Sequence, residues 1–311
     1  MLMKIKQRYL LILSAMVMLL AACGDDDDAS TPVLPEPTLD AVEVGYSNNG
    51  IAAIGRDFHF NAEVTAGDKI SRVLVRIQPR SGETYAKSWS HEIVWDQYKG
   101  AKNAAIHKHF DIPADAAEGT YDFVIIVEDE NGATLEDVHT IQIFLPENLP
   151  VDPQTQIFTV FRNQSFFYRR GKFNGDSTLI RNDTLASQVT LGGIKGSGKM
   201  YLLLINKKHK HRPETAHDID FSKVIVFDVY QHDNWTEGNA FTNTPIDPDK
   251  NVALRFPRVK IGAATDNLMP QGSPITGAKA WESGDYYFGV VYENTTYHVD
   301  FHQYIEFKIS Y

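Results

Sequence analysis

The chain has 311 residues, room for two ordinary domains. Its 43% hydrophobic and 23% charged residues are normal for a folded globular protein. Forty acidic residues against 30 basic ones give a net charge of −10, which argues against nucleic acid as a partner, because neutralising phosphates needs a basic patch.

Residues 1–22 place Lys4, Lys6 and Arg8 before an apolar run from Tyr9 to Leu20, followed by small residues. This reads as a secretory signal peptide, too short for a comfortable membrane span. Cys23 is the chain's single cysteine. It excludes an intrachain disulfide framework, so an intrachain metal site must use His, Asp and Glu. The run Leu20-Ala21-Ala22-Cys23 resembles a bacterial lipobox, which makes Cys23 the lipidated first residue of the mature protein. Each buried CH₂ of an acyl chain contributes about 0.8 kcal/mol, so several chains anchor firmly.

Residues 23–38 are a tether. Asp25 to Asp28 form an acidic run that cannot pack. Pro32, Pro35 and Pro37 stiffen the second half of the tether. The acidic run resembles the export signal of Bacteroidota surface lipoproteins, which implies an outer-membrane, outward-facing location.

Residues 39–146 show alternating strand patterns and no amphipathic helix. Leu39 to Val44, Phe58 to Val64, Ile70 to Ile77, Ser90 to Trp95 and Ala105 to Ile112 are strands. Pro113 to Gly119 is a turn, Tyr121 to Val127 a strongly apolar strand, and Glu128 to Gly132 a hairpin loop with an Asn-Gly signal. His139 to Phe144 closes the unit. About seven short strands over roughly 100 residues predict an immunoglobulin-like β-sandwich.

Within that unit stand His107, His109, Asp111-Ile-Pro-Ala-Asp-Ala116, Gly119, Tyr121 and Phe123, then Val127, Asp129 and Gly132. This spacing resembles a Bacteroidota lipoprotein family, domain of unknown function 4625, over residues 40–144. The resemblance implies an immunoglobulin-like lipoprotein and brings no assigned activity. Asp122 and Val124 stand where the family pattern often carries further His, a departure that weakens an inherited metal site.

Residues 147–154 are a proline-punctuated linker. Residues 155–311 alternate strand-like runs with Gly, Asn and Pro turns and predict a second β-sandwich domain. The fold class is therefore all-β, two sandwich domains in tandem after a lipoprotein signal and a flexible tether. Ala117 to Asp129 returns in weaker form as Glu282 to Asn294 when Gly119 is laid on Gly284. Gly192 to Gly198 reads as a mobile hairpin, and Lys207 to Asp220 as an exposed basic loop.

Eleven histidines offer the clearest chemistry. On a strand, residues i and i+2 share a face about 6.5–7 Å apart, within reach of one ion. His107, His109 and Asp111 form one such face. His298, Asp300 and His302 form another if Tyr297 to His302 is a strand. Each set needs a third ligand from elsewhere, and zinc or copper accepts imidazole and carboxylate. The competing reading of both faces is a solvated strand surface. His59, His91 and His139 read as structural or exposed. His232 reads as a surface residue at a strand end. Trp235, in the polar run Gln231 to Asn239, is the aromatic least suited to a core and the candidate platform for a glycan.

Motifs for a nucleophilic serine, a zinc protease or a phosphate loop are absent. The expectation is a non-catalytic surface lipoprotein that binds a ligand, a metal ion or metal complex being the first choice, beside a TonB-dependent transporter. The alternatives are a glycan binder and a structural or adhesive surface protein.

Overall fold

A computed structural model describes residues 34–311. The expected signal segment 1–22, the lipidation site Cys23 and the acidic run Asp25–Asp28 lie outside the described residues. Among the described residues, no helix is long and apolar enough to cross a membrane.

The first domain contains β1 (Thr38–Val44), β2 (Ile51–Ala53), β3 (Asp57–Thr65), β4 (Ile70–Pro79), β5 (His91–Val94), β6 (Asn103–Asp111), β7 (Gly119–Asp129) and β8 (Thr134–Phe144). They form two sheets, β1-β3-β6 and β2-β8-β7-β4-β5. Alternation drives the pairing of the two sheets into a sandwich. Phe58, Phe60 and Val64 of β3 point inward against Val73, Val75 and Ile77 of β4 and Phe123, Ile125 and Val127 of β7. The same alternation turns His59 and Asn61 outward, to the face that meets the second domain.

The second domain contains β9 (Gln154–Arg162), β10 (Ser165–Arg169), β11 (Lys172–Phe173), β12 (Thr178–Ile180), β13 (Thr184–Asn206), β14 (Val224–Thr242), β15 (Ile246–Asp247), β16 (Val252–Ala253), β17 (Arg258–Lys260), β18 (Gly284–Asn294) and β19 (Val299–Ser310). Nine of these form one sheet branched at β13. The first half of β13 pairs with β9 and β17, its second half with β18, and β14 pairs along it from Thr190 to Ile205. The sheet folds over a large core that includes Val160, Val189, Leu202, Leu204, Phe227 and Phe288, and a second, smaller cluster gathers Leu203, Ile205, Val224 and Val291.

Several expectations change here. Gly192 to Gly198 is not a hairpin but the middle of β13, where successive register shifts bend the strand between the two layers. His232 is not a surface residue: β14 continues past it, and its ring is buried between the Gly196 carbonyl and the Tyr292 hydroxyl. Burial pushes the His232 imidazole below its ordinary pKa, toward the neutral form. Trp235 is half-buried, its ring 4.5 Å from His232 and edge-on to Phe241, so it packs on the core instead of presenting a flat platform. The basic loop Lys207 to Asp220 is only partly exposed, with Pro213, Thr215 and Ile219 buried.

The echo between the two domains is structural. β7 and β18 each run 11 residues from a glycine, and from the third residue onward their buried and exposed positions coincide. Each is the middle strand between an earlier neighbour and the hairpin partner that comes after it.

The two domains are held together by specific contacts. Arg56 donates two hydrogen bonds to Asp152, at 2.5 and 3.0 Å, fixing the linker to the first domain. Asn49 donates to the His298 carbonyl at 2.7 Å, and Ser47 donates to the Asp300 carboxylate at 3.1 Å. Ser47, Asn48 and His298 all have positive φ without being glycine, a conformation that costs energy and that tertiary contacts must hold.

Candidate metal centre

The outer face of the β1-β3-β6 sheet carries the site. β3 and β6 are antiparallel, with His59 directly opposite His109 and Asn61 opposite His107. The three imidazole rings stand 5.1 to 5.2 Å from one another, centroid to centroid. Glu43 lies on the neighbouring strand opposite Asn61. The second domain covers this face with the loop between Lys210 and Lys223, which delivers Glu214. One ligand atom each from His59, His107, His109 and Glu214 lies within 4.8 Å of all the others.

Glu214 is placed by backbone contacts. The Tyr304 hydroxyl donates to the Pro213 carbonyl at 2.5 Å, and His302 donates from Nδ1 to the Glu214 carbonyl at 3.1 Å. Thr215 and Asp218 close the next turn, with Thr215 Oγ1 donating to Asp218 at 3.0 Å. The Glu214 carboxylate then sits 3.1 Å from His109 Nε2, 3.6 Å from His59 Nδ1 and 3.9 Å from His107 Nε2. Ligands on a tetrahedral zinc ion, with bonds of about 2.0–2.1 Å, are spaced near these values.

Two of the remaining ring nitrogens are also engaged. His109 Nδ1 is 2.7 Å from Asp57, and His59 Nε2 is 3.4 Å from Glu43. Carboxylates behind imidazoles fix the tautomer and aim the other nitrogen forward, as in many zinc sites. The hydrogen bond from His59, joined by Ser47 and Asn61, holds the Glu43 carboxyl below its usual range although burial opposes this.

His59 is only 4% exposed, and its Nδ1 is buried without a hydrogen-bond partner. A buried, unsatisfied imidazole nitrogen is costly unless something occupies the space before it. Tyr46 stacks on His59 at 4.8 Å and meets His302 edge-on at 6.0 Å, closing the inner side. Burial, with the nearby carboxylates of Glu214, Asp57 and Asp300, pushes the Tyr46 phenol above its ordinary pKa, so it stays protonated. The outer side is open: the His107 side chain is 55% exposed and borders a cleft of about 390 Å³. Lys210 and Arg212 also line that cleft, and their charge opposes a cation.

The histidine faces expected from spacing fare unequally. His107 and His109 converge as the i, i+2 rule requires. Asp111 does not join them; it pairs with Asp57 in register at the far end of β6 and stays exposed. The second face is broken, because β19 begins at Val299 and His298 lies in the preceding turn with φ near 54°. Asp300 and His302 do share a face of β19 toward the seam, but they support the site from behind. Burial, reinforced by Glu293, raises the Asp300 carboxyl to about 6, and burial lowers the His302 imidazole. His59 and Glu214 escaped the sequence reading. His59 sits on the polar side of an alternating strand, which was a usable signal; Glu214 sits among Lys210, Arg212 and His211, where charge pointed the other way.

Residues 21–144 match the family model described as a domain of unknown function, DUF4625. No curated protein matches the chain. Among solved structures, the crystal structure of dimeric latent PorU from Porphyromonas gingivalis is 10% identical; the match covers 91% of this chain and 21% of that one, with a TM-score of 0.29. The chain thus spans about a fifth of that protein. A structure of carbohydrate-binding modules from the β-sandwich superfamily is 13% identical, covering 73% of this chain and 90% of that one, with a TM-score of 0.24. The segment that supplies three of the four converging side chains lies within residues 21–144, the part of the chain that matches the DUF4625 model.

Proposed function

We propose that this protein is a non-catalytic surface lipoprotein that captures a divalent transition-metal ion, zinc or copper, at His59, His107, His109 and Glu214. The observation that carries this reading is the convergence of three imidazoles and one carboxylate around the unpartnered, buried Nδ1 of His59. Three nitrogens and one oxygen suit zinc and copper better than calcium or magnesium, which prefer all-oxygen shells. Asp57 and Glu43 supply the supporting carboxylates, and the cleft beside His107 gives the ion a way in. Cys23 anchors the chain, and an outer-membrane transporter of the TonB-dependent class is the natural recipient of the ion.

The test is a titration of the full chain with Zn²⁺ and Cu²⁺, read by calorimetry and by melting temperature. Tight binding of one ion per chain is expected, with a melting temperature that rises with metal concentration. His59→Ala and the double variant His107→Ala/His109→Ala should abolish both effects. No binding at micromolar metal, or binding that survives both variants, overturns the reading.

A further inference from the structure

A second region, on the outer face of the second domain, carries unused chemistry. Phe166, Phe161 and Phe256 stand in a row, with ring centroids 5.1 and 5.7 Å apart. A guanidinium caps each end: Arg169 lies 4.5 Å over Phe166, and Arg258 lies 5.5 Å over Phe256. β10, β9 and the segment leading into β17 set this order. Phe161 pairs with Phe166 across the first turn and with Ala186 of β13 on its other side.

Phe161 is shared by two adjoining clefts of about 650 and 380 Å³. The larger also takes in Gln156, Gln188, Gln303 and Arg170. Among the described residues no carboxylate lines either cleft, although the chain carries 40 acidic residues and a net charge of −10. Arg169, Arg170 and Arg258, like Arg162, Arg181 and Arg212, form no ion pair among the described residues, whereas Arg56, Arg72, Arg76, Arg80 and Arg255 do. Phe166 and Phe256 are 44% and 37% exposed. Exposed aromatic rings, arginines without counter-charges and glutamine amides are therefore gathered on one surface.

We propose that this groove binds an acidic oligosaccharide, a chain of uronate sugars. Each part of the groove matches a part of that ligand. The phenyl rings cover the apolar C–H faces of successive sugar rings. Each amide offers one acceptor and two donors, a pattern that reads neighbouring hydroxyls. Arg169 and Arg258 each lie over a phenylalanine ring and form no ion pair among the described residues, so their guanidinium N–H groups are available to take a carboxylate through two hydrogen bonds. Placing one guanidinium at each end of the aromatic row fits a linear ligand with repeated charges better than a single small anion. An acidic peptide shares the charge but would leave the amides without vicinal hydroxyls to read. The site is independent of the metal centre and stands or falls separately.

The test uses the full chain with size-defined oligogalacturonates, their methyl esters and a poly-glutamate peptide of similar charge, followed by calorimetry at two salt concentrations. The expected result is saturable binding of oligogalacturonate that weakens as salt rises. The methyl ester should bind about tenfold more weakly or worse, and so should oligogalacturonate to Arg169→Ala/Arg258→Ala. Circular dichroism and melting temperature of that exposed double variant should match the parent. A more conservative Arg169→Lys/Arg258→Lys pair, which keeps charge and loses the fork, should fall between the two. The proposal is overturned if no oligogalacturonate binds at low salt, if the ester binds equally well, if the double variant binds unchanged, or if poly-glutamate binds as tightly as the sugar.

Discussion

His59 and His109 face each other across β3 and β6, rings 5.1 Å apart, and each has a carboxylate at its back: Glu43 behind the first, Asp57 behind the second. The pair is therefore oriented from outside, and Glu214 meets the nitrogens that remain.

If Asp57 orients His109, its loss should weaken metal binding without removing a ligand. Asp57→Ala is expected to reduce zinc affinity about 10- to 100-fold, the usual effect of deleting a carboxylate behind a ligand histidine. A competition titration against a chromogenic chelator measures this. His91→Ala, far from the cluster on β5, is the control and should change nothing.

Gly289 sits in β18 against Tyr304, and a Cβ added there would meet the tyrosine ring at 2.1 Å. Gly289→Ala must displace that ring, and with it the hydroxyl that holds the Pro213 carbonyl beside Glu214. The variant should lose metal affinity although residue 289 is no ligand, and Tyr304→Phe should lose part of it. Equal zinc affinity in both variants and the parent would show that the loop is held by other contacts.

Asp300 gives a pH signature. Its carboxyl is raised to about 6 in the folded protein, chiefly by burial. A raised carboxyl favours the folded state while protonated, and that contribution disappears as pH rises through about 6. Asp300→Asn removes the penalty and keeps an acceptor for Ser47. The variant should match the parent near pH 4 and be more stable by on the order of 2 kcal/mol above pH 7, as read by metal-free denaturant unfolding at the two pH values.

Asp266 and Lys279 form a buried ion pair at 2.7 Å, with side chains 0% and 5% exposed. Burial alone would raise the aspartate, but the Lys279 ammonium and the backbone N–H groups of Ser273, Leu268 and Val226 together hold it below its usual range. Lys279→Met leaves that charge uncompensated and should cost about 3–5 kcal/mol. The double variant Asp266→Leu/Lys279→Met should recover much of the loss. Thermal unfolding distinguishes the two.

The all-β architecture was legible because alternation is a local signal. Val73, Val75 and Ile77 could be assigned to one buried face from their spacing alone, and they occupy it. His107 and His109 could be paired for the same reason. What could not be read was register. Nothing near Phe58 in the sequence says that His59 will stand opposite His109, because that depends on pairing across some 50 residues. Glu214 needed a further step, the docking of one domain on the other. His298 failed for a local reason, since the turn that enters β19 consumes it. Trp235 and His232 looked polar by their neighbours but are covered because β13 and β14 run much further than typical strands.

The division of the centre between two domains has a consequence for how tightly an ion is held. Three donors stand on one sheet of the first domain, while the fourth arrives on a loop of the second domain. Glu214 is then a tethered ligand, and its contribution depends on the effective concentration that the linker and the Arg56–Asp152 clamp impose. Loosening that clamp would dilute the fourth ligand without altering any donor atom. If the proposed centre holds an ion, its affinity would thus be a mechanical property of the domain junction as much as a chemical property of its ligands.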